Sequence, residues 1–407
     1  MELPTTGPAG ATVAAGRPIL DDDPSVAARD GSRPALLSYT EYWSDPEPLP
    51  LDCGRTLTGV QVAYETWGRL NATADNAVVI CHALTGDAHA AGVYAGDDRP
   101  GWWDPLIGPG RAIDTGRYFV VCANVLGGCR GTTGPATPAP GDGQPYGSRF
   151  PQVTVRDIVR LQHRLVRALG VQGIAAVIGG SLGGMQVLEW AVLYPGLVRN
   201  AITIGASLAH SAQGIAFNLI GREAIMLDPA WQGGDYYGTG RSPERGLSLA
   251  RMMGIITYQS AESMRRKFDR TRVESDAESY YRPASRFQVE NYLHYQGESL
   301  VRRFDANSYL VLSRAMDLHD LAQGRESLAA ALGQIAPRTR VLAVGISSDL
   351  LFPTDLQQGI VAALQAAGHQ ATYAEIASPW GHDAFLIEYG QLGAIVADFL
   401  SGSHDAD

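Results

Sequence analysis

Short apolar runs and longer amphipathic stretches alternate along this chain. Ala77–Cys81 (AVVIC), Tyr118–Cys122 (YFVVC) and Ile174–Ile178 are β-branched and nearly continuous in apolar character. Such runs fit strands buried on both faces of a parallel sheet, because a wetted face would place a polar residue at every second position. Thr56–Trp67 reads as strand material with a turn or bulge at Gly59, and Asn200–Gly205, Arg340–Ile346 and Thr372–Ile376 read as further strands. Between Thr154 and Gly170 the spacing becomes helical. Ile158, Leu161, Leu165 and Leu169 fall on one face, Thr154 caps the start and Gly170 ends it. Met185–Leu193, Asp355–Ala367 and Ala384–Leu400 are helical as well.

From Ser207 to Leu332 the strand signals stop, and helices and loops rich in Tyr, Arg and Met take over. Strand–helix alternation, a helical excursion and renewed alternation describe a doubly wound, mostly parallel α/β sheet with a helical insertion. The pattern divides the chain into a flexible tail (1–34), a sheet-forming core (35–206 and 333–400), a helical lid (207–332) and a short disordered tail (401–407).

Composition narrows the partners. The 407 residues are 45% hydrophobic and 18% charged, with a net charge of −10. That balance argues against a nucleic-acid or anionic-membrane surface, while leaving room for an anionic small molecule bound by local charge. No apolar run is long enough for a membrane helix. The first residues lack the basic start and apolar centre of a secretory signal, so a cytoplasmic location is expected. Cys53, Cys81, Cys122 and Cys129 form no C-x-x-C pair and read as buried, reduced thiols. His82 and His89 lack an interleaved metal-ligand pattern. Gly127–Gly131 lacks the Gly-Lys-Ser/Thr of a phosphate-binding loop.

The sharpest chemical signal is Gly179-Gly180-Ser181-Leu182-Gly183, set between a strand and a helix. A serine on such a bend has its oxygen pushed into the open, and the next backbone N–H can face a developing oxyanion. The plain alternative is a small residue in a Gly-rich packing turn. A base and an orienting acid are expected later in the chain, in the order acid then histidine. Asp349, just past the Arg340–Ile346 strand, and His382, just past the last strand, fill those places. Their plain alternatives are a turn cap and a surface histidine. All three side chains fall at the carboxyl edge of the sheet, where open α/β sheets bind ligands. The Leu182 N–H is one oxyanion donor, and the loop His82-Ala83-Leu84-Thr85-Gly86 is placed to give the other. His319-Asp320 precedes the strand that carries Asp349, breaks the order and reads as a solvated or packing pair.

Several longer stretches resemble one family. They are His82–Asp87 (HALTGD), Gly101–Asp104 (GWWD), Asn124–Gly131 (NVLGGCRG), Thr154–Asp157 (TVRD), Gly179–Gly184 (GGSLGG), Arg303–Tyr309 (RFDANSY) and Gly381–Leu386 (GHDAFL). Together they are similar to the homoserine O-acetyltransferases, acyltransferases of α/β-hydrolase fold that act in methionine synthesis. The resemblance implies Ser181, Asp349 and His382 as the triad and the Leu84 and Leu182 N–H groups as the oxyanion hole. It also implies Arg222 and Asp383 as contacts of the amino-acid acceptor, acetyl-CoA as co-substrate with no bound cofactor or metal, and a homodimer. In succinyl-using relatives an arginine tends to follow the triad aspartate by two residues. Here Leu351 stands at that place, which favours acetyl. Three positions depart from the usual pattern: Gly221 before Arg222 where glutamine is usual, Leu182 where methionine is common, and Trp380 where tyrosine is common. Serine as acceptor, succinyl-CoA as donor, a plain esterase and an inactive scaffold are the rival readings.

Overall fold

The computed structural model describes residues 40–94, 100–274, 279–283 and 285–402. The flexible tail read over 1–34 and all of the tail read over 401–407 except its first two residues lie outside these.

Eight strands form one sheet: β1 (Glu41–Ser44), β2 (Gln61–Trp67), β3 (Ala77–Cys81), β4 (Phe119–Ala123), β5 (Ile174–Gly180), β6 (Val198–Ile204), β7 (Arg340–Ile346) and β8 (Ala371–Ile376). Their spatial order is β1-β2-β4-β3-β5-β6-β7-β8. β1 and β2 run antiparallel to their neighbours, and every other pairing is parallel. The apolar runs behave as their composition requires. All five residues of β3 and all seven of β5 are buried. Alternate side chains enter opposite layers: Val79, Cys81, Val121 and Val177 join one core, and Val78, Ile80, Val120 and Ile178 the other.

The helices α1 (Val155–Ala168), α2 (Leu182–Leu193), α9 (Thr354–Ala366) and α10 (Tyr389–Ser401) connect or follow the strands. α1 starts at a capping box, in which the Thr154 hydroxyl accepts from the Asp157 N–H and the Asp157 carboxylate accepts from the Thr154 N–H. α2 is buried around its circumference, from Leu182 to Val192, with its two polar side chains satisfied: Gln186 accepts from the Gln162 amide, and Glu189 pairs with Arg156 and Arg325. Between β6 and β7 the chain forms α3 (Ala212–Met226), α4 (Glu244–Tyr258), α5 (Ala261–Lys267), α6 (Gln288–Arg303), α7 (Ala306–Asp317) and α8 (Leu328–Leu332).

Two expectations need correcting. The helix read over Ala384–Leu400 is two pieces, a 3-10 turn at Gly381–Leu386 and then α10. The break lets the first piece fold back into the core, where the Trp103 indole N–H donates to the Phe385 carbonyl at 3.1 Å. Among the cysteines, Cys81, Cys122 and Cys129 are buried and unbridged, but Cys53 is exposed, on the turn between Leu51 and Arg55.

Candidate active site

Four loops at the carboxyl ends of β3, β5, β7 and β8 build the site. β3 and β5 are neighbours while the chain's next strand, β4, lies on the other side of β3. That is the switch point at which open sheets leave a crevice.

Ser181 sits at φ 59, ψ −125, between β5 and α2. A non-glycine residue rarely adopts a positive φ, and strain of order 1–3 kcal/mol persists only where the surroundings enforce it. Here they do. The Ser181 N–H donates to the Ile204 carbonyl at 2.9 Å, and the Met185 N–H donates to the Ser181 carbonyl at 3.1 Å. The glycines are required by crowding: a Cβ on Gly183 would lie 2.1 Å from the Cys81 carbonyl oxygen, and one on Gly180 would lie 2.6 Å from the Phe385 ring.

Asp349 and His382 come together as expected. His382 Nδ1 and Asp349 Oδ2 are 2.6 Å apart. The other carboxylate oxygen accepts from the Leu351 and Phe352 N–H groups, each at 2.8 Å. Those two bonds fix the plane of the carboxylate, and the carboxylate fixes the imidazole. His382 Nε2 is buried and, among the described residues, without a hydrogen-bond partner, the atom a base needs to have open. Burial alone would depress the imidazole pKa. The Asp349 charge and hydrogen bond, helped by the Asp383 charge, outweigh it and hold His382 above its ordinary 6.5. Gly205 is the spacer between serine and base. It follows Ile204, the partner of the Ser181 N–H, and its ideal Cβ position lies 3.2 Å from His382 Cε1.

The oxyanion loop is held by side chains at its root. His82 Nδ1 is 2.7 Å from the Ala83 carbonyl, so it carries the proton, and His82 Nε2 accepts from the Val125 N–H at 3.1 Å. Burial pushes its pKa down, which keeps this neutral tautomer. Arg303 donates to the Thr85 carbonyl at 2.9 Å. Among the described residues the Leu84 and Leu182 N–H groups have no hydrogen-bond partner.

A cavity of about 20 Å³ opens on Ser181, room for roughly one water molecule. Leu84 and Leu351 line it from the sheet side, and Asn218, Tyr258 and Tyr309 from α3, α4 and α7. Leu351 thus stands beside the nucleophile as an apolar wall. The Tyr258 ring lies 5.9 Å from the His382 ring. Neither Tyr258 nor Asn218 belongs to a sequence motif, so nothing in the sequence singled them out.

Arg222 is buried on α3, with Nη2 2.6 Å from Asp317 Oδ2. Asp383 is half-buried and near enough to act on the charge of both His382 and Tyr258. The unusual Gly221 packs against Tyr309, whose hydroxyl would be 3.2 Å from a Cβ there. The His319-Asp320 pair stands apart from the triad. His319 is buried rather than solvated, with Nε2 3.1 Å from the Ser207 carbonyl, and Asp320 accepts from the Ala322 N–H. His89 pairs with the buried Glu65 at 3.0 Å.

A bent serine, a carboxylate-held imidazole and two open N–H groups on a doubly wound sheet define a serine-nucleophile protein of the α/β-hydrolase class. Residues 76–389 match the family model described as alpha/beta hydrolase fold. The chain belongs to the homoserine O-acetyltransferase family. It is 52% identical over 353 residues to the homoserine O-acetyltransferase of Carboxydothermus hydrogenoformans, covering 86% of this chain and 92% of that relative. It is 54% identical over 372 residues to that of Symbiobacterium thermophilum, covering 90% and 96%. Among solved structures, homoserine O-acetyltransferase from Bacillus anthracis superposes with a TM-score of 0.83 at 34% identity, over 89% of this chain and 97% of that one. Esterase E22 reaches 0.81 at 29% identity, over 89% and 99%.

Proposed function

We propose that this chain transfers the acetyl group of acetyl-CoA to the side-chain hydroxyl of L-homoserine by a ping-pong route through acetyl-Ser181. The observation that carries the reading is the Asp349–His382 pair set beside the strained Ser181, in a chain whose relatives of about the same length are named for that transfer.

In this reading each step has a residue to carry it. Ser181 Oγ attacks the thioester carbon while His382 Nε2 takes its proton. Asp349 stabilises the imidazolium and holds its tautomer. The oxyanion meets the Leu84 and Leu182 N–H groups, each of which typically contributes ~100-fold or more in rate. The C–S bond then breaks, and His382 returns the proton to the leaving sulfur. Homoserine enters with its carboxylate on Arg222 and its ammonium on Asp383. His382 takes the hydroxyl proton, the hydroxyl oxygen attacks the acetyl carbon, and Ser181 Oγ leaves with the proton. The narrowness of the cavity keeps bulk water from competing for the acetyl group.

The chain acts as a homodimer in this reading. Leu219 and Ile220 midway along α3, Leu227 just past its end, and Leu249 and Ile256 on α4 are exposed, and Leu227 is 76% accessible. An apolar patch of this kind is what a second copy would cover. No described helix is long and apolar enough to cross a membrane, and we place the reaction in the cytoplasm. A second reading, an esterase with water as acceptor, draws on the likeness to esterase E22.

One assay separates these. Free thiol release is followed from acetyl- and succinyl-CoA, each with homoserine, with serine and with water alone. Acetyl-CoA plus homoserine should give the highest kcat/KM, and Ser181→Ala should abolish release with every pair. Dominance of serine, of succinyl-CoA or of water would replace the acceptor, the donor or the reaction class respectively.

A further inference from the structure

The Arg222 side chain is 11% accessible, and among the described residues its Nη1 has no hydrogen-bond partner. Its one ion-pair partner among the described residues is Asp317, whose side chain is 1% accessible and whose Oδ2 lies 2.6 Å from Nη2. That contact is an ion pair without hydrogen-bond alignment, since Asp317 Oδ2 also counts as unpartnered for hydrogen bonding. A guanidinium can present two parallel N–H groups to a carboxylate. Asp317 uses only one nitrogen, and end-on. Asp317 is itself held: its Oδ1 accepts from the Asn218 amide at 2.8 Å, and Arg314 stands 3.6 Å from Oδ2.

The pair sits one layer behind the cavity wall. Asn218, which lines the cavity at Ser181, precedes Arg222 by one helical turn on α3, and Met316, which also lines it, immediately precedes Asp317 at the end of α7. An unpartnered donor in a buried arginine is costly, and such features survive where a ligand completes them.

We propose that Asp317 is a positioning residue for acceptor recognition: it holds Arg222 so that the open side of the guanidinium grips the free carboxylate of the amino-acid acceptor. This rests on the acceptor assignment made above. Removing the Asp317 charge has two opposed effects. It makes the site more positive, which favours an anion, and it frees Arg222 to leave its pose, which disfavours a bidentate grip. The second dominates, because a buried arginine without its counter-charge relocates toward solvent.

The test uses Asp317→Asn and Asp317→Glu in the full chain, with L-homoserine and L-homoserinamide, whose carboxylate is masked, as acceptors. The single-turnover burst of CoA from acetyl-CoA should be unchanged in both variants, since it needs only the Ser181 site. For Asp317→Asn the KM for homoserine should rise about tenfold or more, as expected for a lost charge-assisted contact, and the preference for homoserine over homoserinamide should shrink by the same factor. Asp317→Glu, which keeps the charge, should recover part of that preference. An unchanged preference in Asp317→Asn overturns the inference. Loss of the burst in both variants makes Asp317 a folding residue and overturns it too. If the wild-type protein releases CoA but transfers nothing to homoserine, the acceptor assignment falls first and this inference with it.

Discussion

His382 shows how one side chain is set by two opposed forces. Burial disfavours its charged form, yet the Asp349 carboxylate at 2.6 Å leaves the imidazole above its ordinary 6.5. As a base it must be neutral, so kcat/KM for acetyl-CoA should rise with pH through an apparent pKa above 6.5. Asp349→Asn removes the charge and leaves the burial. The acid limb of the profile should then move below 6.5, and the rate at its plateau should fall by about 10⁴-fold, as when a triad carboxylate becomes an amide that favours the wrong tautomer. A pH–rate profile of the two proteins reads both effects. An acid limb that stays in place would mean that another group, not His382, sets it.

At the scale of elements, the oxyanion hole is a distance between two of them. Leu84 lies just past β3 and Leu182 at the first turn of α2, and the gap is set where Gly183 touches the Cys81 carbonyl. Gly183→Ala must push α2 off β3 to relieve a contact of 2.1 Å. The expected result is a loss of about 1–3 kcal/mol in denaturant unfolding, with a drop in kcat of ~100-fold from the widened hole. Wild-type values for both would remove Gly183 from the account of the hole.

These elements were legible in the sequence because each has a local cause. β3, β5 and β7 show as apolar runs, α1 as a period with Thr154 at its cap, and the elbow as glycines around a serine. α2 begins at Leu182, three residues before the helical pattern shows at Met185, because Gly183 and Gly184 carry no periodic signal. β1 was missed because its side chains are exposed or half-buried and its partner β2 lies on only one side. The pairing of Arg222 with Asp317 spans 95 positions and joins two helices, so no window of sequence contains it. The break between Gly381–Leu386 and α10 depends likewise on Trp103, far away in the chain.

Over the whole molecule, the fold buries histidines that an unfolded chain would protonate. Desolvation lowers the pKa of His82, of His319, and of His210 to about 4. Below pH ~6.5 the unfolded chain binds protons that the folded one refuses, so stability falls as pH drops. His382 runs the other way, since its raised pKa adds stability that is present below 6.5 and lost as pH rises through the folded value. With His163, likewise lowered to about 4 by burial, four depressed histidines stand against one raised one among the described residues, so on balance the histidines make acid destabilising. Ordinary carboxylates titrate mainly below pH ~5, and the buried Glu65, Asp157 and Asp305, which burial raises, contribute alike to the wild type and a histidine variant, so between pH 6.5 and 5 the difference between the two isolates the histidine. Each depressed histidine should add up to about 1.4 kcal/mol per pH unit to the slope of unfolding free energy there. His210→Gln keeps an acceptor for the Asn218 amide, which lies 3.3 Å from His210 Nε2, and removes one titrating group. Urea unfolding at pH 6.5, 5.75 and 5 should give a slope shallower by about that amount in the variant than in the wild type. Equal slopes would show that His210 binds protons alike in the folded and unfolded chains, and that the Asp317 charge offsets its burial.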